Sequence, residues 1–192
     1  MAVLFHFMMH TAYLLMSAVY LQDGLGLSAL TCGVYFIPHA LLFMLSSFIA
    51  SRLLVSYGKL VLLSGLLIIL LSFLLQIILL PHIHHSWLVI MLIGIYGFGN
   101  GMVLPFLLNI VLDTIPVQAA GTSSGVFSTF QQLASALGIS IIGGIFYGSI
   151  TGDTAAAYQY ALNNGLWAGI ICLIIVAGML MLLPSANDRK TE

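Results

Sequence analysis

Residues Leu60–Leu80, with the sequence LVLLSGLLIILLSFLLQIILL, decide the fold class. This run carries no charged residue, and as one α-helix it is long enough to cross a hydrocarbon layer of about 30 Å. It lacks the alternation of polar and apolar residues that is typical of strands in a membrane barrel. We therefore predict a membrane-spanning helix here.

Five further apolar stretches of similar length flank this run. The six predicted spans are Ala2–Leu21, Cys32–Ser51, Leu60–Leu80, Trp87–Leu112, Gly121–Tyr147 and Gly165–Leu183. Charged residues make up only 5% of the chain, against about 25% in soluble domains. We therefore predict an all-α membrane protein, with a six-helix transmembrane domain over residues 1–184, a tail over residues 185–192, and the lipid bilayer as its main partner.

The four cations fall on one side of the predicted bundle. Arg52 and Lys59 lie in the second link, Arg189 and Lys190 follow the sixth span, and the opposite side has none. Because positive residues favour the cytoplasmic side, we predict a multi-pass cell-membrane protein with both termini in the cytoplasm. The first span lacks the positive flank of a secretory signal, so we expect it to be retained. Without a basic patch, nucleic-acid binding is not expected.

The composition divides the spans into two classes. The third and sixth are almost purely aliphatic, whereas the other four carry the intramembrane His, Asn and Pro residues and most of the Gly. Aliphatic helices can face lipid, while polar ones belong against protein or a cavity. The order inner, inner, outer then occurs twice, as in a three-plus-three inverted repeat.

Uncharged polar residues within the spans are the candidates for the wall of a central cavity. They are Tyr13, Asn100, Asn109, Gln131 and Gln132. A glutamine at mid-span can also bond a neighbouring helix, so tight packing remains an alternative for the fifth span, which is rich in small residues. The glycines of Gly94–Gly101, followed by Pro105, predict either a bend in the fourth span or close packing.

Three histidines are candidates for a proton relay. His6 and His10 lie one turn apart on the first span, with Tyr13 near the same face, and His39 follows Pro38 on the second. Ionisable groups inside a membrane are functional candidates. The alternative is hydrogen bonding between helices. No Asp, Glu, Lys or Arg lies deep in any span.

Other motifs predict little chemistry. The tract Pro81–His85 has no standard zinc spacing, and Cys32 and Cys172 lie far apart in apolar stretches, so we predict no metal, disulfide or cofactor. Gly121–Gly125 matches the G-x-S-x-G pattern, but a nucleophile elbow follows a strand. A membrane serine protease is therefore only a remote alternative, and we predict no enzymatic activity.

Three stretches carry a resemblance to a known family. They are Tyr20–Ala29 leading to Pro38, Ala50–Lys59, and Ala120–Gly138. The chain resembles the C-terminal six-helix half of the major facilitator superfamily, and more narrowly the branch of fourteen-helix multidrug:proton antiporters. Arg52, Gly58 and Lys59 match the degenerate cytoplasmic loop motif of that family, but Ser51 replaces its Gly, and Val55 and Ser56 replace its Asp-Arg pair.

The resemblance implies a drug efflux transporter, coupled to protons, that acts on small amphipathic compounds. Its partners would be a drug-like substrate and either an N-terminal six-helix half or a second copy of the chain. Three alternatives stay open beside it: a homodimeric half transporter, a non-transporting partner protein and a decayed remnant.

Overall fold

Helices form every regular element that the structure describes. The computed structural model describes residues 1–82, 86–112 and 120–181, and within these ranges it contains no strand. The α-helices are α1 Ala2–Val19, α2 Ala29–Tyr57, α3 Lys59–Leu79, α4 Ser86–Leu112, α5 Ala120–Gly138, α6 Gly144–Gly148 and α7 Ala155–Met181. The tail at 185–192 lies outside the described residues.

Short irregular turns extend three of these helices. A π-helical turn, Tyr20–Gly24, continues α1, and a second, Ile139–Gly143, joins α5 to α6. A 3-10 turn, Leu80–His82, follows α3. Because α5, the π turn and α6 form one continuous stretch, six helical segments are long and apolar enough to cross a membrane. The predicted all-α architecture with six spans is confirmed.

Two predicted links are wrong because they are largely helical. The sixth span was expected at Gly165, but α7 starts ten residues earlier at Ala155. Its first turn is rich in alanine, and the Thr154 hydroxyl accepts a hydrogen bond from the Ala157 amide at 3.2 Å, which is the geometry of a helix cap. Likewise α2 continues to Tyr57, and the break before α3 is Gly58 alone, with φ of 46°.

The helices divide into two compact units. One contains Met1–Cys32 and Leu108–Val176, and therefore the first, fifth and sixth spans; the other contains Gly33–Leu107 and the last turn of α7, and therefore the second, third and fourth. A three-plus-three repeat equates span one with four, two with five and three with six. If each span of the first unit is replaced by its repeat counterpart, spans one, five and six become spans four, two and three. These are the spans of the second unit, so the two units are related as the predicted repeat requires.

In the first unit, α1 packs against both α5 and α7. Thr11 donates a hydrogen bond to the Ser135 hydroxyl at 3.0 Å. A Cβ at Gly138 would lie only 2.6 Å from the Met8 Cα, and one at Gly165 only 2.9 Å from the Met16 Cε. Glycine therefore lets α5 approach the α1 backbone closely.

In the second unit, α4 packs in the same manner against α2 and α3. A Cβ at Gly97 would lie 2.8 Å from the His39 Cα, and one at Gly65 would lie 3.0 Å from the Gly99 carbonyl oxygen. The α4 helix continues without a π turn through Pro105. Of the two predictions for the glycines of this span, close packing accounts for their contacts.

Exposure does not follow aliphatic composition. The spans that bury the smallest share of their residues are α2 and the α5–α6 segment, whereas α3 and α7 are more buried and α4 is the most buried. These exposures are those of this chain by itself, in which a surface that faces a cavity and a surface that faces lipid are both uncovered. The predicted order of inner and outer spans therefore stays a prediction.

Candidate functional site

The candidates on α1 lie along one buried face. His6, His10 and Tyr13 are four and three residues apart; His6 and Tyr13 are fully buried and His10 is partly buried. All three make interactions in the folded chain. Hydrogen bonding between helices suits this burial as well as a relay does, so proton transfer through His6 and His10 stays a prediction.

His39 belongs to an aromatic stack in the second unit. Its ring lies 5.6 Å from the ring of Tyr96 at an interplanar angle of 19°, and Tyr96 lies 5.5 Å from Phe73 at 8°. The stack joins α2, α4 and α3 through three near-parallel rings. The geometry of the stack gives His39 a packing role. That His39 also transfers protons remains a prediction.

The five cavity-wall candidates differ in exposure. Tyr13 and Asn100 are fully buried, Gln131 is partly buried and Gln132 is exposed. The side chain of Asn109 lies outside the described residues. A side chain must have accessible surface to contact a substrate, so Gln132 is the candidate whose present position suits direct contact.

Gln132 lies within an exposed stripe of small and polar residues on the fifth span. The stripe comprises Gly125, Thr129, Gln132, Ala136, Ser140 and Gly144. No described atom would lie within 4 Å of a Cβ at Gly125 or Gly144. Tight packing was one of two interpretations of the small residues on this span; within the described chain the stripe is uncovered, and Gly138 makes a close contact with α1.

The exposed face of α2 has the opposite character. Its uncovered residues are mainly large and apolar: Leu30, Val34, Ile37, Leu41, Met44, Leu45 and Phe48. Such a face is compatible with lipid, whereas hydroxyl and amide groups without partners are costly in hydrocarbon. Within the α5 stripe the Thr129 hydroxyl donates to the Gly125 carbonyl oxygen at 3.0 Å, so the exposed Gln132 amide is the group that favours protein or water as its neighbour.

The residues of the loop motif have separate structural roles. The Arg52 guanidinium lies 4.5 Å from the ring centre of Phe48, one turn earlier on α2. Gly58 supplies the positive φ that separates α2 from α3. Lys59 donates from its ammonium group to the Met181 carbonyl oxygen at 3.0 Å. The start of α3 and the end of α7 therefore lie at the same end of the bundle, as counting the crossings predicts.

A buried polar pair was missed in the aliphatic third span. The Gln76 amide donates to the Ser72 hydroxyl at 3.0 Å, and Ser72 donates to the Leu92 carbonyl oxygen of α4 at 3.0 Å. Both residues are buried. Their spacing of four, in a helix whose other polar residues are Lys59 and Ser64 near its start, was the available indication that this face contacts protein.

Comparison with known proteins identifies the family. The model of the Major Facilitator Superfamily matches residues 1–139. The chain belongs to the Major Facilitator Superfamily. This membership agrees with the six helices that can cross a membrane. It also agrees with the division into two units, whose spans are counterparts in a three-plus-three repeat. It also indicates a multi-pass membrane protein of a transporter family rather than an enzyme, so the protease alternative loses its basis.

Two curated relatives are named as a transporter and as a resistance protein. The chain is 28% identical over 147 residues to a "Probable actinorhodin transporter" of Streptomyces coelicolor, covering 74% of the chain and 25% of that protein. It is 25% identical over 184 residues to "Quinolone resistance protein NorB" of Staphylococcus aureus, covering 92% of the chain and 38% of that protein. The chain thus spans well under half the length of these relatives.

Proposed function

We propose that the chain is the C-terminal six-helix half of a drug efflux transporter that exports small amphipathic compounds in exchange for protons. In this account it lies in the cell membrane with its C-terminus in the cytoplasm. It functions with an N-terminal half, and the two halves enclose the substrate between them.

One observation carries the proposal: the exposed stripe on the fifth span around Gln132. The exposed Gln132 amide is unfavourable against hydrocarbon, so a protein or aqueous neighbour suits this surface. The length of the chain relative to its relatives supports a second half as that neighbour. Contact with a water-filled substrate path explains why the stripe includes an amide side chain that can hydrogen-bond a drug.

The names of the relatives support the substrate class. One relative is named for the transport of actinorhodin and the other for resistance to quinolones, and we infer a small organic compound as the substrate of this chain. Proton coupling through this half would involve His6, His10 or His39, because none of its spans carries a carboxylate at mid-membrane. The carboxylate carriers of such a cycle are then expected in the other half.

The test begins with an immunoblot of native membranes, using an antibody against residues 185–192. A band near 20.7 kDa would direct the search to a separate N-terminal partner, and a band of more than twice that mass would place these residues in a longer transporter.

Deleting the gene should then raise the steady accumulation of a fluorescent quinolone. Unchanged accumulation of quinolones and of other amphipathic dyes would overturn the proposal.

A further inference from the structure

Arg52 is an exposed cation near the end of an exposed apolar helix face on α2. Its guanidinium lies 4.5 Å from the ring centre of Phe48, one turn earlier on the same helix. Phe48 is itself exposed and belongs to the second span. Because Phe48 precedes Arg52, the guanidinium folds back along α2 in the direction of the membrane centre. The positive charge therefore lies over an apolar ring at the edge of the span.

The segment that contains Arg52 has no carboxylate to pair with it. Between Gly33 and Leu107, which form most of the second unit, the sequence contains no Asp or Glu, and its only Lys and Arg residues are Arg52 and Lys59. A charge beside hydrocarbon is costly unless it meets a counter-ion, water or the headgroup layer. An anionic partner for Arg52 therefore has to come from outside this segment.

The surface around Arg52 matches the layout of a phospholipid. Leu45 and Phe48, which are 50% and 59% exposed, precede Arg52 by seven and four residues and share its side of α2. At about 1.5 Å per residue they extend about 6–11 Å inward from Arg52, within the roughly 15 Å of one hydrocarbon leaflet. In the outward direction, Ser56 follows one turn after Arg52 and is exposed. The cation and the hydroxyl thus lie at headgroup depth, and the apolar side chains lie at the depth of the acyl chains.

We propose that Arg52 and this face of α2 bind one anionic phospholipid of the surrounding bilayer. The guanidinium donates two parallel hydrogen bonds to phosphate oxygens, the Ser56 hydroxyl can donate a third, and the acyl chains cover Phe48 and Leu45. A net negative headgroup fits better than a zwitterionic one, because residues 33–107 offer no carboxylate to the headgroup's own cation. The proposal depends neither on drug transport nor on which leaflet the end of α2 lies in.

Quenching of tryptophan fluorescence by brominated lipids tests this contact in vesicles. Trp87→Phe and Trp167→Phe give a chain without tryptophan, and Phe48→Trp then places a reporter beside the guanidinium. The vesicles contain equal amounts of phosphatidylcholine and phosphatidylglycerol, with bromine on the acyl chains of one lipid or of the other. A single cation should favour phosphatidylglycerol over phosphatidylcholine at this site about fivefold in relative association constant.

Two further variants separate binding at Arg52 from general contact with lipid. Arg52→Gln in the reporter chain should bring the ratio of association constants close to one. Val34→Trp is the matched control, because Val34 is exposed near the other end of α2 and no Lys or Arg precedes Arg52 in the chain; its ratio should also be close to one. A ratio near one at Phe48→Trp, or a ratio that Arg52→Gln leaves unchanged, would overturn the proposal. Absence of quenching by either lipid would overturn it too, because protein would then cover this face.

Native mass spectrometry provides a second test if the tryptophan variants fold poorly. The wild-type chain and Arg52→Gln are extracted from the same mixed vesicles, and the fraction that retains one phosphatidylglycerol is compared. We expect the wild-type fraction to be several-fold larger. Ser51→Ala is the control, because the Ser51 hydroxyl already donates to the Phe48 carbonyl oxygen at 2.8 Å, and it should match the wild type. Equal retention by the wild type and Arg52→Gln would contradict the proposal.

Discussion

The Lys59 ammonium group donates a hydrogen bond to the main-chain carbonyl oxygen of Met181, with a distance of 3.0 Å between nitrogen and oxygen. This contact joins the first residue of α3 to the last residue of α7. Lys59, identified from sequence as part of a loop motif, therefore connects the start of α3 to Met181 of the final span.

Replacing Lys59 should loosen the end of α7. We expect Lys59→Met to destabilise the turn of α7 at Met181 by about 0.5–1 kcal/mol, because the hydrogen bond to the Met181 carbonyl oxygen is lost. Amide hydrogen exchange over residues 177–181 measures this change. Lys59→Arg, which keeps the charge and a donor, is the matched control. Equal exchange in Lys59→Met and wild type would contradict a stabilising role for this hydrogen bond.

Close packing in the second unit predicts a steric effect at Gly97. Gly97→Ala should destabilise the protein by about 1–3 kcal/mol, because its methyl group would collide with the backbone at His39. Thermal unfolding in detergent gives the comparison. Gly33→Ala is the control, since no described atom lies within 4 Å of its added Cβ. It should be neutral or stabilising, and equal losses for the two variants would argue against the packing account.

The Ser72–Gln76 pair predicts a non-additive mutant cycle. Ser72→Ala leaves the buried Gln76 amide without this acceptor and should lower stability by about 1 kcal/mol. Adding Gln76→Leu removes the amide that has lost this acceptor, so the double variant should recover part of the loss. The free energy of unfolding of the four proteins measures the coupling. Strict additivity would mean that the two side chains do not act together.

His39 offers a way to separate packing from proton transfer. His39→Phe retains an aromatic ring for the stack with Tyr96, so we expect little change in Tm. Proton transfer requires the imidazole, so drug efflux driven by a proton gradient should fall markedly. His39→Leu, which removes the ring, should lower both. If the His39→Phe variant exports drug at the wild-type rate, His39 does not take part in proton transfer.

Most of the fold could be predicted from the sequence, because apolar length and the absence of charge determine where a chain can cross lipid. Leu60–Leu80 coincides closely with α3, whereas Gly165 was ten residues late as the start of α7. The residues between Ala155 and Gly165 include Gln, Asn and Tyr, and they were interpreted as a link. They form a helix because alanine, a capping threonine and the contact of Gly24 with Tyr158 favour one.

The candidate site was less predictable, because exposure depends on which helices meet. Polar character identified both Asn100 and Gln132, yet one is fully buried and the other exposed. Glycine content indicated close approach in the fourth and fifth spans alike. Gly97 makes such a contact and Gly125 does not, and no local pattern distinguishes the two. Whether a glycine makes a close contact depends on which helix packs beside it, and sequence periodicity does not specify that neighbour.

In the proposed function the Gln132 face of the fifth span contacts substrate, and quinolone efflux in the native host tests this contact most directly. The deletion strain should be complemented with the wild-type gene, Gln132→Ala, or Leu41→Ala as a control on the exposed apolar face of α2. Loss of one hydrogen bond to a drug, about 1 kcal/mol, corresponds to about a fivefold change. We therefore predict that Gln132→Ala lowers the initial efflux rate several-fold or shifts the drug profile, while Leu41→Ala does neither. Wild-type rates and profile for Gln132→Ala, at equal expression, would contradict the claim.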